Sequence, residues 1–133
     1  MDTYAWIEIF IGSKSGEKAK EILQKTEETY TPDIVLAEIA RKYLREGMKE
    51  QTILERLTTI EETSNIIPID KSIAIESAKC YVELMEKAKR IKLKLPSLFD
   101  AIILATSRTL NAKLITGDEH FKDVHETLWI GKT

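Results

Sequence analysis

Four acids, Asp2, Glu38, Asp100 and Asp118, stand where structure and chemistry make competing claims on the same side chain. Three or four carboxylates brought together repel one another and are tolerated chiefly when a hard divalent cation neutralises them. Mg2+ prefers such oxygen ligands, keeps several waters and takes one or two protein carboxylates directly. One or two ions of this kind can activate a water and stabilise the leaving oxygen of a phosphodiester. Metal-assisted hydrolysis is therefore the chemistry these residue types could perform.

Each acid also has an ordinary explanation. Ser97-Leu98-Phe99-Asp100 fits a capping box, with Asp100 reaching back to the start of its helix. Asp118 follows Gly117 and reads as turn chemistry. On a helical wheel Glu38 falls among Arg41, Lys42 and Arg45, where an i,i+4 pair with Lys42 would make it a solvated surface charge. Asp2 lies so near the N-terminus that fraying is the default.

Other chemistries find little to work with. No His-x-x-x-His or Cys-x-x-Cys spacing exists, which disfavours zinc; His120 and His125 read as solvated loop histidines with no third ligand. There is no Gly-Lys-Thr phosphate loop, no Gly-x-Gly-x-x-Gly and no Gly-x-Ser-x-Gly elbow. Cys80 sits in mid-helix with no positioned base and reads as an inert thiol. The sharpest charge asymmetry is Lys87, Lys89, Arg90, Lys92 and Lys94, five cations in eight residues. They fit a solvated helix end, where cations complement the macrodipole, and equally a patch that tracks phosphates beside the acids.

The elements that must position these residues alternate short strands with helices. Residues 2–11 are strongly apolar, and Gly12 to Gly16 signals a loop. A short polar helix is expected over 17–26. The next helix, with Thr31 as its cap and Pro32 in its first turn, is expected to run to about Glu46 and stop at Gly47. A further helical stretch covers 48–60, and 66–69 reads as a buried strand. The longest helix is expected over 71–90 with Ala74, Ala78, Tyr81, Met85 and Ala88 as its apolar stripe. The body of the 98–110 helix is apolar almost all round and must be central. Strands are expected at 113–116 and 127–130. This alternation implies right-handed βαβ crossovers and a parallel sheet with helices on both faces. Ligands gather at the carboxyl ends of strands in such sheets, which directs attention to Asp118, and to Asp2 if a strand leads into it.

The 133 residues suit one domain, 1–133, with no repeat or linker. At 43% hydrophobic and 32% charged the composition is that of a globular chain rather than a disordered one. No apolar run is long enough to span a bilayer and no basic-then-apolar leader opens the chain. With a single cysteine, a reducing cytoplasmic setting is expected, with no membrane partner. A net charge of −2 argues against coating nucleic acid by bulk positive charge, though not against a nuclease with a local basic patch. Two Gln and two Asn against abundant Lys and Glu lean in the thermophile direction.

The order of these pieces resembles the PIN-domain ribonucleases, especially the VapC toxins of VapBC toxin–antitoxin modules. Asp2-Thr3-Tyr4-Ala5-Trp6-Ile7-Glu8 looks like the family's opening acid and first helix, and Ala37-Glu38-Ile39 like its second motif. The segment from Leu98 through Asp100 to Thr106 is similar to the third, and Leu114 through Asp118 to Phe121 to the fourth. The resemblance implies an α/β/α sandwich around a mainly parallel central sheet, with Asp2, Glu38, Asp100 and Asp118 around Mg2+ or Mn2+ and Thr116 orienting a carboxylate or water. It implies an endoribonuclease that leaves a 5′-phosphate and a 3′-hydroxyl, with RNA as substrate, a small antitoxin as partner and a homodimer as its assembly. Glu8 and Glu119 are possible auxiliary acids. Trp6, Ile7, Phe10 and the apolar side of 48–60 could face the antitoxin or a second copy, although core is the simpler use.

One departure stands out: only Met1 precedes Asp2, where the family has a central strand, so either the true start lies upstream or the first strand is reduced to almost nothing. A catalytically silent PIN-like domain that binds RNA or protein is the alternative reading. A haloacid-dehalogenase-like phosphatase would need a second acid in Asp2-Thr3-Tyr4, and a receiver domain would need neighbouring acids and a later strand-end lysine.

Overall fold

The apolar body of the 98–109 helix is central, as expected. In the computed structural model, which describes residues 1–132, helix α6 (Leu98–Thr109) buries every side chain from Ala101 to Ser107. The other helices gather around it: α1 (Thr3–Ile11), α2 (Lys14–Lys25), α3 (Asp33–Arg45), α4 (Glu50–Thr63) and α5 (Lys71–Ile91). Strands β1 (Tyr30–Pro32), β2 (Asn65–Ile67), β3 (Leu114–Thr116) and β4 (Thr127–Trp129) are three residues each. No described helix is long and apolar enough to cross a membrane.

The parallel pairing is as expected, but the sheet is in two halves. β1 runs parallel to β2 with Thr31 opposite Ile66, and β3 runs parallel to β4 with Ile115 opposite Leu128. Between the halves, the Met1 amine donates to the Tyr30 carbonyl at 2.6 Å.

Three local expectations are corrected. Thr31 does not cap α3: its hydroxyl accepts from the Trp6 indole at 3.1 Å and meets Ser64 at 2.8 Å, which holds Thr31 and Pro32 in β1. The 12–16 loop shrinks to a tight corner, because Ser13 caps α2 from its first turn and Gly16 packs directly on α1. A Cβ at Gly16 would come 2.0 Å from the Glu8 carbonyl oxygen, so only glycine lets the two helices meet there. On α5 the buried stripe is Ile73, Ser77, Cys80, Leu84 and Ala88, while Ala74 and Ala78 are exposed. Ile73 and Leu84 bury more apolar surface than the alanines, and that sets the rotation of the helix against α6.

Trp6 and Ile7 are core, with Phe10 half-buried and stacked on Trp6 at 6.1 Å between centroids. Cys80 is buried between α5 and α6, and burial pushes its thiol up, as an inert thiol requires. Arg108 joins the two ends of this half by bonding Glu83 at 2.6 Å and Glu126 at 3.2 Å.

Candidate active site

The four acids come from four elements, and each is held by a hydrogen bond that its local sequence supplies. Asp2 is not frayed: at 2% exposure it is the cap of α1, one carboxylate oxygen accepting from the Ala5 N–H at 2.9 Å. Its other oxygen accepts from the hydroxyl of Thr116, at the end of β3. The same hydroxyl accepts from the Asp118 N–H at 3.0 Å, so Thr116 ties the first acid to the last across 114 residues of sequence.

Glu38 departs from the solvated-face reading. Lys42 pairs with Glu46 at 2.8 Å instead, and Glu38 accepts from the Thr3 hydroxyl at 2.8 Å. Asp100 completes the capping box, accepting from the Ser97 N–H at 2.9 Å while Ser97 accepts from the Asp100 N–H at 3.2 Å. The box does not remove it from the site, because its carboxylate also stands 3.9 Å from the His120 ring.

His120 is the residue that sequence reasoning placed wrongly. It is no solvated loop side chain: its Nδ1 meets Asp118 Oδ1 at 2.9 Å and its Nε2 meets the Lys94 carbonyl at 2.7 Å. A carbonyl can only accept and an ionised carboxylate can only accept, so the ring satisfies both partners as the imidazolium. Burial alone would lower its pKa, but the Lys94 carbonyl, Asp118 and Asp100 outweigh burial and raise it.

The carboxylates lie in one another's fields. Burial lifts Asp2 from 3.8 to about 7 against the bonds from Thr116 and Ala5, with Asp118 adding repulsion. Burial raises Glu38, the Thr3 bond opposes it, and the charges of Asp100 and Asp118 add to the rise. Asp100 is raised by burial and by Asp118, against the Ser97 bonds. Among the described residues no Lys or Arg forms an ion pair with any of the four. The all-oxygen, desolvated donor set is of the kind a hard divalent ion prefers, with His120 the cation paired to it. Among the described residues, no three Asp, Glu, His or Cys side chains are grouped closely enough to hold a metal ion.

The basic run divides. Lys87 is a strut, its ammonium donating to the carbonyls of His120, at 3.3 Å, and Lys122. Lys89, Arg90, Lys92 and Lys94 are exposed, and the His120–Lys94 bond tethers the end of the run beside the acids. Glu8 is half-buried and Glu119 exposed, with no side-chain bond to the four acids among the described residues.

The model of the PIN domain matches residues 1–126. This chain belongs to the PIN domain family. A VapC ribonuclease of Pyrococcus furiosus is 26% identical over 102 residues, which are 77% of this chain and 65% of that protein. The matched part thus spans just under two thirds of that relative's length. A toxin–antitoxin complex from Klebsiella pneumoniae contains a chain that superposes with a TM-score of 0.67 at 25% identity, covering 99% of this PIN domain and 97% of the other chain. VapBC2 of Rickettsia felis, solved on a promoter DNA fragment, shares the fold with a TM-score of 0.66 at 20% identity, over 92% and 88% of the two chains.

Thr3 and His120 are the two site residues the sequence did not single out. His120 left one signal, an Asp-x-His spacing just past a strand end.

Proposed function

We propose that this PIN domain is a divalent-metal-dependent endoribonuclease acting as the toxin of a toxin–antitoxin pair. The reading is supported first by the Thr116 hydroxyl, which joins Asp2 to Asp118 at the carboxyl end of β3, with Glu38 and Asp100 within their electrostatic reach. Asp2, Glu38, Asp100 and Asp118 would hold Mg2+ or Mn2+. A bound ion supplies positive charge against phosphate oxygens and makes a water acidic enough to serve as nucleophile. The chain's own residues do the rest. Thr116 fixes the Asp2 carboxylate by donating to it, and Thr3 does the same for Glu38. His120 holds Asp118 and neutralises part of the cluster. The exposed cations from Lys89 to Lys94 draw RNA in by its phosphates.

A small antitoxin partner is favoured by the toxin–antitoxin complex among the structural neighbours. A homodimer and a cytoplasmic site of action complete the proposal.

The test is cleavage of RNA by purified, folded protein with Mg2+ or Mn2+, with chelator and Asp100→Asn as controls. Loss in both controls is the expected result. Equal rates for wild type and Asp100→Asn would sink the assignment. Metal binding without turnover would favour the silent RNA- or protein-binding scaffold.

A further inference from the structure

A cavity of about 410 Å³ shares Gly117 with the loop that carries Thr116 and Asp118, yet none of the four acids lines it. Two aromatic rings, Tyr4 and Trp129, do line it, and both lie against glycines. A Cβ at Gly117 would stand 2.2 Å from Tyr4 Cε1, and one at Gly131 would stand 2.6 Å from Trp129 Cζ2. The same Cβ on Gly131 would stand 3.1 Å from the Gly117 Cα, so the two rings share one patch of bare main chain. The Trp129 indole N–H donates to the Lys132 carbonyl at 3.2 Å, which fixes the ring. Tyr4 sits in sequence between Thr3, which bonds Glu38, and Ala5, which bonds Asp2.

Trp129 is half-buried, and an ammonium stands over it: Lys122 Nζ lies 5.5 Å from the ring centroid. An exposed lysine on an aromatic face is a weaker contact than a stacked base, so the face is open to a better occupant. Ile91 and Leu93 supply an apolar wall. They flank Lys92 in the exposed basic run, which sets the cavity between the cations and the acid-bearing loop. Glu119 and Asp123 line it from exposed positions. Two carboxylates disfavour a phosphate there and favour a neutral ring whose edge donates hydrogen bonds. Among the RNA bases, guanine presents two adjacent donors, N1–H and the N2 amine, that match the two oxygens of one carboxylate. Uracil has one N–H between two carbonyls and matches poorly.

We propose that this cavity is a base-binding subsite, in which a guanine of the RNA stacks on Trp129 beside Tyr4 and donates from its N1–H and N2 amine to Glu119. It rests on the RNA-cleaving reading above and gives that reading a sequence preference: the guanine fixes which phosphodiester reaches the acids.

The test measures binding with chelator present, so that neither metal nor turnover is needed. The full chain is titrated with a uridine pentamer and with the same pentamer carrying one central guanosine. Trp6 is 1% exposed, so a change in tryptophan emission reports Trp129, and Trp129→Phe should abolish the change. The guanosine pentamer should bind at least about fivefold more tightly than the uridine pentamer. Trp129→Leu should weaken guanosine binding by about tenfold, the scale of one lost stacking contact. Glu119→Gln, an exposed change that thermal melts should barely register, should bring the two pentamers within about twofold of each other. Equal affinity for the two pentamers in the wild type overturns the proposal. So does a guanosine preference that survives Glu119→Gln, or the absence of any emission change. A guanosine preference in a chain that cleaves no RNA with Mg2+ would strike the nuclease reading and leave the subsite standing. Metal-dependent cleavage with no base preference would do the reverse.

Discussion

The two ends of the seam between β1 and β3 are built on opposite terms. At the end near Asp2, the acids have designated partners: Asp2 has Ala5 and Thr116, Thr116 also has Asp118, and Asp118 has His120. At the other end, Met1 supplies a single amine to the Tyr30 carbonyl beside an apolar groove. The difference teaches that side-chain bonds alone can orient a carboxylate at a site. A helix cap and one threonine hydroxyl hold Asp2 in place without a ladder, at the cost of a carboxyl that burial drives up to about 7.

The contrast can be attacked from the polar end first. Asp118→Asn should lower metal-dependent RNA cleavage by about 10- to 100-fold, on the scale of lost metal-site interactions, with the thermal melt unchanged. A cleavage rate close to wild type would mean the polar end is organised for something other than the proposed chemistry. Next in size, Thr116→Val leaves one Asp2 carboxylate oxygen and the Asp118 N–H each without its partner and should destabilise the fold by about 1–3 kcal/mol in denaturant melts. No change would show that Asp2 is held by its helix cap alone.

A smaller effect is written in pH. Asp2 titrates near 7 in the folded chain against an ordinary 3.8, so between those values the folded chain keeps a proton that the unfolded chain has released. Stability should therefore fall as pH rises through this window. The Met1 amine, lowered from 8.0 to about 6, works in the opposite sense above about 6, so the slope should flatten there. Thermal melts across the range should show the fall in wild type and a shallower one in Asp2→Asn. The smallest effect belongs outside the seam. Neutralising Lys92 and Lys94 together should reduce the salt slope of single-stranded RNA binding by about 1.4, and an unchanged slope would dismiss these two as phosphate contacts.

What could be read in the sequence was what a single segment decides for itself. Helix α6 was legible because Ser97 and Asp100 form its cap and its body is apolar all round. The four acids were legible as a set through a family resemblance, while their ordinary readings were strong. The misread polar side chains have partners far away in sequence. Thr31 looks like a helix cap until Trp6 and Ser64 take its hydroxyl, and His120 looks solvated until Lys94, 26 residues earlier, offers a carbonyl. The α5 stripe slipped by one residue because alanines and isoleucines share a helical period, and α6 decides which row it prefers. The division into two parallel pairs, β1 with β2 and β3 with β4, is a property of edges that meet only in the fold.

Asp100 serves two masters, closing the start of α6 through the Ser97 N–H and facing His120 across 3.9 Å. Whatever draws that carboxylate toward the acids must loosen the first turn of the helix, since one side chain cannot fully satisfy both. The Ser97 amide is thus a built-in gauge. Its NMR frequency and exchange rate would report occupancy of the site directly, without a labelled substrate or a cleavage assay.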